Sequence, residues 1–172
     1  MKLPFRRPFL KVRHVLVRYI IFHHTYCLYR ASGAVIDNSI YQLPYLVGNV
    51  MEKADPDINF HFIVEKIKDD YQSFVCRPMA TLCDWPDIDP DINKRAIHIA
   101  LMGNYDLKIP EKRMYEVLCY RLVAPLMKIF NIYQDSHLYF HNELSTDKTC
   151  VCPGNFLDMA IIKLFNRKFI MR

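Results

Sequence analysis

The sequence predicts an α/β fold: one domain with a central mixed β-sheet flanked by helices. Three observations carry that expectation. Short β-branched and aromatic runs recur along the chain. They alternate with longer stretches in which apolar residues return every three or four positions. One pair of runs is joined by a turn short enough for an antiparallel hairpin, whereas the others need crossovers, so both strand directions are expected.

The first run, V-L-V-R-Y-I-I-F (15–22), reads as a buried strand ending at His23. Residues 39–54 read as a helix with Ser39 as its cap, although Pro44 and Gly48 weaken the pattern. I-N-F-H-F-I-V-E-K-I (58–67) is a strand, K-D-D the turn, and Y-Q-S-F-V-C (71–76) the return strand. Residues 77–95 are rich in Pro and Asp and read as a long surface loop. R-A-I-H-I-A-L-M-G (95–103) is a further strand. The clearest helix spans 110–130, with Pro110 at its first position and apolar residues at Met114, Val117, Leu118, Leu122, Leu126 and Ile129. H-L-Y-F-H (137–141) is a short strand, and 155–165 a last helix opened by Pro153-Gly154.

Composition bounds the class. A chain of 172 residues with 52% hydrophobic and 24% charged residues is globular and long enough for one real core. Residues 1–14 form a basic N-terminal extension, and 15–172 the domain. The net charge of +5 suits a polyanionic partner. Nucleic acid is not expected, because no helix concentrates Lys and Arg on one face. No apolar run is long enough for a signal peptide or a membrane span, so cytoplasmic synthesis without membrane insertion is expected, as a monomer. The six cysteines read as scattered reduced thiols, not as a disulfide framework.

Two histidines stand at strand ends, His23 and His141. Strand ends present chemistry in α/β folds, because the strand is rigid and the following loop is open. A cysteine follows His141 after nine residues (Cys150) or eleven (Cys152). Two His and one Cys would leave the fourth position of a tetrahedral zinc ion open, the layout of a catalytic metal.

F-H-H-T after the first strand, F-H-F-I-V on the second, A-I-H-I-A-L-M-G-N-Y-D on the third and H-N-E-L…K-T-C-V-C-P-G before the last helix occur in that order. Together they resemble the zinc-dependent N-acetylmuramoyl-L-alanine amidases, a superfamily that includes phage lysozyme-type amidases, which act as endolysins, and peptidoglycan-recognition proteins. The resemblance runs from Tyr19 to Asp158. Its most specific parts are His-His-Thr and Cys-Pro-Gly. The first twelve residues and the Pro/Asp loop carry no part of it.

The resemblance implies zinc held by His23, His141 and Cys152. Cys150 is the rival third ligand, since Lys148 then stands two residues before it, as a lysine does in the family. It implies cleavage of the amide between N-acetylmuramic acid and L-alanine in cell-wall polymer or muropeptide. Lys148 is the expected cation for the oxyanion, and Lys148 or His61 the proton donor. Thr25 is expected to position the ligand loop, and His24 to face away from the metal. Phe60 stands where the family often has Tyr, and Ala100 where some members have Glu. The alternative is a recognition module of the same fold that binds peptidoglycan without cutting it.

Overall fold

A computed structural model of the chain describes residues 11–25 and 59–170. The helix expected over 39–54 lies outside the described residues. Among the described residues, five strands form one sheet in the order β3-β2-β4-β1-β5. These are β1 (Tyr19–His24), β2 (Phe62–Ile67), β3 (Asp70–Val75), β4 (Ala96–Leu101) and β5 (Leu138–Phe140). β2, β4, β1 and β5 run parallel to their neighbours, and β3 pairs antiparallel with β2 at the edge. The sheet is mixed, as expected. The hairpin turns at Lys68-Asp69, where Lys68 takes a positive φ of 54°.

Every residue of β4 is buried, and five of the six in β1. That is the pattern of parallel strands covered on both faces. On one face, Ile20, Phe22, Val64, Ile97, Ile99 and Leu101 pack against α2 (Lys112–Leu118), α3 (Ala124–Ile129) and α5 (Met159–Ile170). Between α2 and α3 the chain makes one π turn, Cys119–Val123, in which the Ala124 N–H reaches back to the Cys119 carbonyl. Pro125 follows directly. It has no N–H and its ring crowds the carbonyl four residues back, so the wider turn absorbs the misfit within the expected helix. That helix starts at Lys112; Glu111 is its cap, and its carboxylate pairs with Lys66 at 2.8 Å.

On the other face, Ile21, Ile63, Ala96 and Ala100 meet Trp85, Ile88 and Ile92. The expected surface loop 77–95 is thus a packed layer. It holds a one-turn helix, α1 (Pro90–Asn93), whose first N–H groups are capped by the Asp89 carboxylate at 2.7 and 3.3 Å. Residues 11–13, which composition places in the basic extension, pair with this layer. The Leu82 N–H donates to Lys11 O (2.9 Å), the Arg13 N–H to Ala80 O (2.7 Å), and the Arg13 guanidinium to the carbonyls of Met79, Thr81, Lys94 and Ala96.

Two boundaries differ from expectation. β1 begins at Tyr19, four residues late, because Val15 to Arg18 lie ahead of the paired register that starts with Tyr19 opposite Ala96. The last helix begins at Met159 and not after Pro153-Gly154. Gly154 takes φ +104°, which no helix accepts, whereas the Asp158 carboxylate caps the Ala160 N–H at 2.7 Å. Among the described residues, no helix is long and apolar enough to cross a membrane.

Candidate metal centre

β1 and β5 are parallel neighbours with Phe22 opposite Phe140. The residues that follow this pair are His23, still on β1, and His141, just past the end of β5, and their rings lie 4.7 Å apart. His141 is also the first residue of α4 (His141–Leu144), a single turn that ends the strand. Cys152 arrives from the loop that follows. Its carbonyl accepts the Asn142 N–H at 2.8 Å, and its Sγ the His24 N–H at 3.4 Å. One ligand atom each from His23, His141 and Cys152 falls within 4.8 Å of the others, and all three residues are buried. Cys152 Sγ is 3.9 Å from His23 Nδ1.

The donor set fits zinc. Tetrahedral coordination with ordinary Zn–N and Zn–S bonds separates ligand atoms by about 3.3–3.6 Å, a small closure from these distances. Burial, and then the neighbouring His98 and His141, hold His23 well below the usual imidazole range. It is therefore neutral, the form whose nitrogen lone pair can bind a metal.

Around this group stand residues from the 77–95 layer. The Trp85 ring stacks on His23 at 4.3 Å and 21°, and meets His141 edge-on at 4.8 Å. Asp87 Oδ2 is 2.8 Å from His141 Nε2 and accepts the Ser145 hydroxyl at 2.6 Å. Neither residue belongs to a strand-end or Cys-containing motif. Their only signal in the sequence is the chain's single tryptophan, set in D-W-P-D. Cys150 is half-buried, with Sγ 3.8 Å from His141 Nδ1, and forms a second convergence with Asp87 and His141.

A sequence profile described as N-acetylmuramoyl-L-alanine amidase matches residues 13–155. The chain belongs to this family. No curated protein matches the chain. Solved structures with the same fold include the endolysin N-acetylmuramoyl-L-alanine amidase LysCS from Clostridium intestinale. It is 21% identical over 95% of this chain and 91% of that one, with a TM-score of 0.65. The Ph2119 endolysin of a Thermus scotoductus bacteriophage is 18% identical over 94% and 92%, with a TM-score of 0.62. Bumblebee PGRP-SA is 15% identical over 92% and 88%, with a TM-score of 0.67.

In this amidase-family chain, Phe60 lies 5.3 Å from the His23 ring, and Ala100 pairs in register with His23. Both positions border the site, one without a hydroxyl and the other without a carboxylate. Thr25 joins the end of β1 to the loop after β4: its hydroxyl donates to Met102 Sδ (3.3 Å) and accepts the Gly103 N–H (3.1 Å). Lys148 is exposed in the loop that carries Cys150, its ammonium against the Ser145 carbonyl at 3.5 Å. His61 is not brought into the three-residue group. It lies just before β2, where its Nδ1 accepts the His98 backbone N–H (3.0 Å). That leaves Nε2 to donate to the Thr81 carbonyl (3.1 Å).

This histidine cluster gives the family member a pH signature. Burial lowers His61 to about 4 and holds His23 and His98 well below 6.5. The unfolded chain therefore takes up protons that the folded chain refuses. The stability is fully present above pH 6.5 and is lost as pH falls toward 4; His61 alone accounts for about 3 kcal/mol across that window. Thermal melts of chelator-treated protein between pH 7.5 and 4.5 are expected to show a falling midpoint. A flat profile would mean that the buried histidines take up protons without opposing the fold.

Proposed function

We propose that the chain is a zinc-dependent hydrolase that cleaves the amide between N-acetylmuramic acid and L-alanine in peptidoglycan or muropeptides. The observation that carries this reading is the buried convergence of His23, His141 and Cys152. Three protein ligands leave one position for water or substrate, which distinguishes a catalytic from a structural zinc site. When bound, zinc supplies a Lewis acid and lowers the pKa of water to about 7.

The chain's own residues do the rest. The His24 N–H stabilises negative charge on Cys152 Sγ, the form that binds metal. Asp87 holds the His141 ring through Nε2. Trp85 and Phe60 wall the His23 side with apolar surface, which strengthens electrostatic interactions within the cleft. Lys148, on the loop beside Cys150, is the cation assigned to the oxyanion of the tetrahedral intermediate and to protonation of the leaving amine. His61, with both ring nitrogens engaged, is assigned to anchoring the 77–83 segment.

A second reading, recognition without cleavage, is favoured by Phe60 and Ala100, which remove two groups that could take part in proton transfer. Mass spectrometry of products from intact sacculi and from purified muropeptides, with and without chelator, separates the readings. Peptides with a free N-terminal L-alanine, absent when chelator is present, are the expected result. Retention of muropeptide with no product at any zinc concentration would establish the recognition module instead.

A further inference from the structure

We propose that His98 is a positioning residue for the metal centre: its Nδ1 accepts the Nε2–H of His23 and so keeps His23 Nδ1 bare for the ion. The inference rests on the reading that His23 is a zinc ligand.

A neutral imidazole carries one proton. Whichever nitrogen faces a metal must be bare, and the other must hold the proton and find an acceptor. In His23 the two nitrogens are clearly separated in role. Nδ1 faces Cys152 Sγ at 3.9 Å, and Nε2 lies 2.9 Å from His98 Nδ1. Both rings are fully buried, so no solvent competes for the proton. The register that sets Ile21 opposite His98 places the His98 side chain on the same sheet face as His23, behind it in the cleft.

His98 is costly where it stands. With Nδ1 accepting, its proton sits on Nε2, which is buried and has no hydrogen-bond partner among the described residues. An unpaired buried donor is destabilising. On its own face of the sheet the apolar neighbours are Ile21, opposite it in register, and Ala96 and Ala100 along β4, so an apolar side chain there would suit the core better. A polar ring kept at such a position, with Nδ1 aimed at a ligand, points to a role for that nitrogen.

The ring is also held in place. The His98 backbone N–H donates to His61 Nδ1, and His61 donates onward to Thr81 O. The His61 and His98 rings are parallel within 16° at 5.9 Å, and Trp85 lies parallel to His98 on its other contact at 6.1 Å. A line of contacts thus runs from the 77–83 segment through His61 and His98 to His23.

The test is zinc affinity, measured by competition with a chromophoric chelator, alongside the melting temperature of the metal-free protein. Four variants are compared with the parent. His98→Asn offers a carbonyl oxygen near the place of Nδ1. His98→Gln sets its amide further out, near the place of Nε2. His98→Leu offers no acceptor, and His23→Ala removes the ligand itself. Leu and Gln are expected to weaken zinc binding roughly 10–100-fold. Asn is expected to recover most of the affinity, and Leu to leave the metal-free melting temperature unchanged or raised. Parent-like affinity in His98→Leu overturns the inference, as does Asn binding no better than Gln if Leu does not fold. Parent-like zinc binding by His23→Ala would instead remove the ligand reading on which the inference stands.

Discussion

Cys152→Ser is expected to strip the protein of zinc and of hydrolytic activity together, while Cys150→Ser keeps both. A serine hydroxyl stays protonated where a thiol is readily ionised by the metal, and a neutral hydroxyl is a poor zinc ligand. The loss in affinity should be on the order of 1,000-fold, since one of three protein ligands is removed from a site whose whole binding energy exceeds about 10 kcal/mol. His23→Ala and His141→Ala should match it. Three features single out Cys152. It is fully buried, its Sγ receives the His24 N–H, and it shares a compact group with both histidines. Cys150 is half-buried and converges with His141 and Asp87 but not with His23. Elemental analysis after dialysis, paired with product detection, reads the result. Zinc retained in Cys152→Ser and lost in Cys150→Ser would move the metal to Asp87, His141 and Cys150. Lys148 would then stand two residues before the ligand.

What the sequence made legible, and what it did not, follows from the range of each interaction. Strand-end histidines could be read because β-branched runs announce buried strands and His23 and His141 follow them directly. Their adjacency could not. It depends on the order β3-β2-β4-β1-β5, which seats β5 beside β1 although more than a hundred residues separate them. The same distance hides Trp85 and Asp87. Their segment has no periodicity, and only its docking onto Ile21, Ala96 and Ala100 brings them to the site. His61 was legible as a histidine on an alternating run but not in its direction. β2 begins only at Phe62, so the alternation rule does not govern the residue before it, and its ring turns to Thr81 and the His98 amide. His98 itself was quoted within a strand motif, yet nothing local marks it as the partner of His23. That pairing is created by the parallel register of β1 and β4. The π turn before Pro125 is the opposite case, since the proline is plain in the sequence and only its effect on the helix needed the structure.

Gly154→Ala is expected to be the most damaging substitution outside the ligands themselves, through the fold and the metal at once. Gly154 has φ +104°, a conformation that side-chain-bearing residues rarely adopt. A Cβ there would also lie 2.4 Å from the Tyr105 carbonyl carbon and 2.7 Å from its oxygen. These are backbone atoms, and they cannot swing aside. The Phe156 N–H donates to that same Tyr105 carbonyl (3.0 Å), and the Asn155 N–H to the Asp106 carboxylate (3.1 Å). The turn after Cys152 is therefore bolted to the loop that follows β4. Relief of the collision must push the two segments apart, and Cys152 lies only two residues upstream. A cost of about 3 kcal/mol or more is expected, lowering the melting midpoint by roughly 6–12 °C. Zinc affinity should fall with it, because a thiolate displaced by even half an ångström no longer closes the shell. Gly103→Ala supplies the contrast. Its φ of +133° carries the same backbone penalty, but its Cβ would meet only the Tyr105 ring at 3.7 Å, an ordinary contact. It should cost about 1–2 kcal/mol and leave zinc affinity near the parent value. Melting curves and chelator competition on both variants decide the matter. Equal losses of stability, or unchanged zinc affinity in Gly154→Ala, would show that the turn yields without moving Cys152.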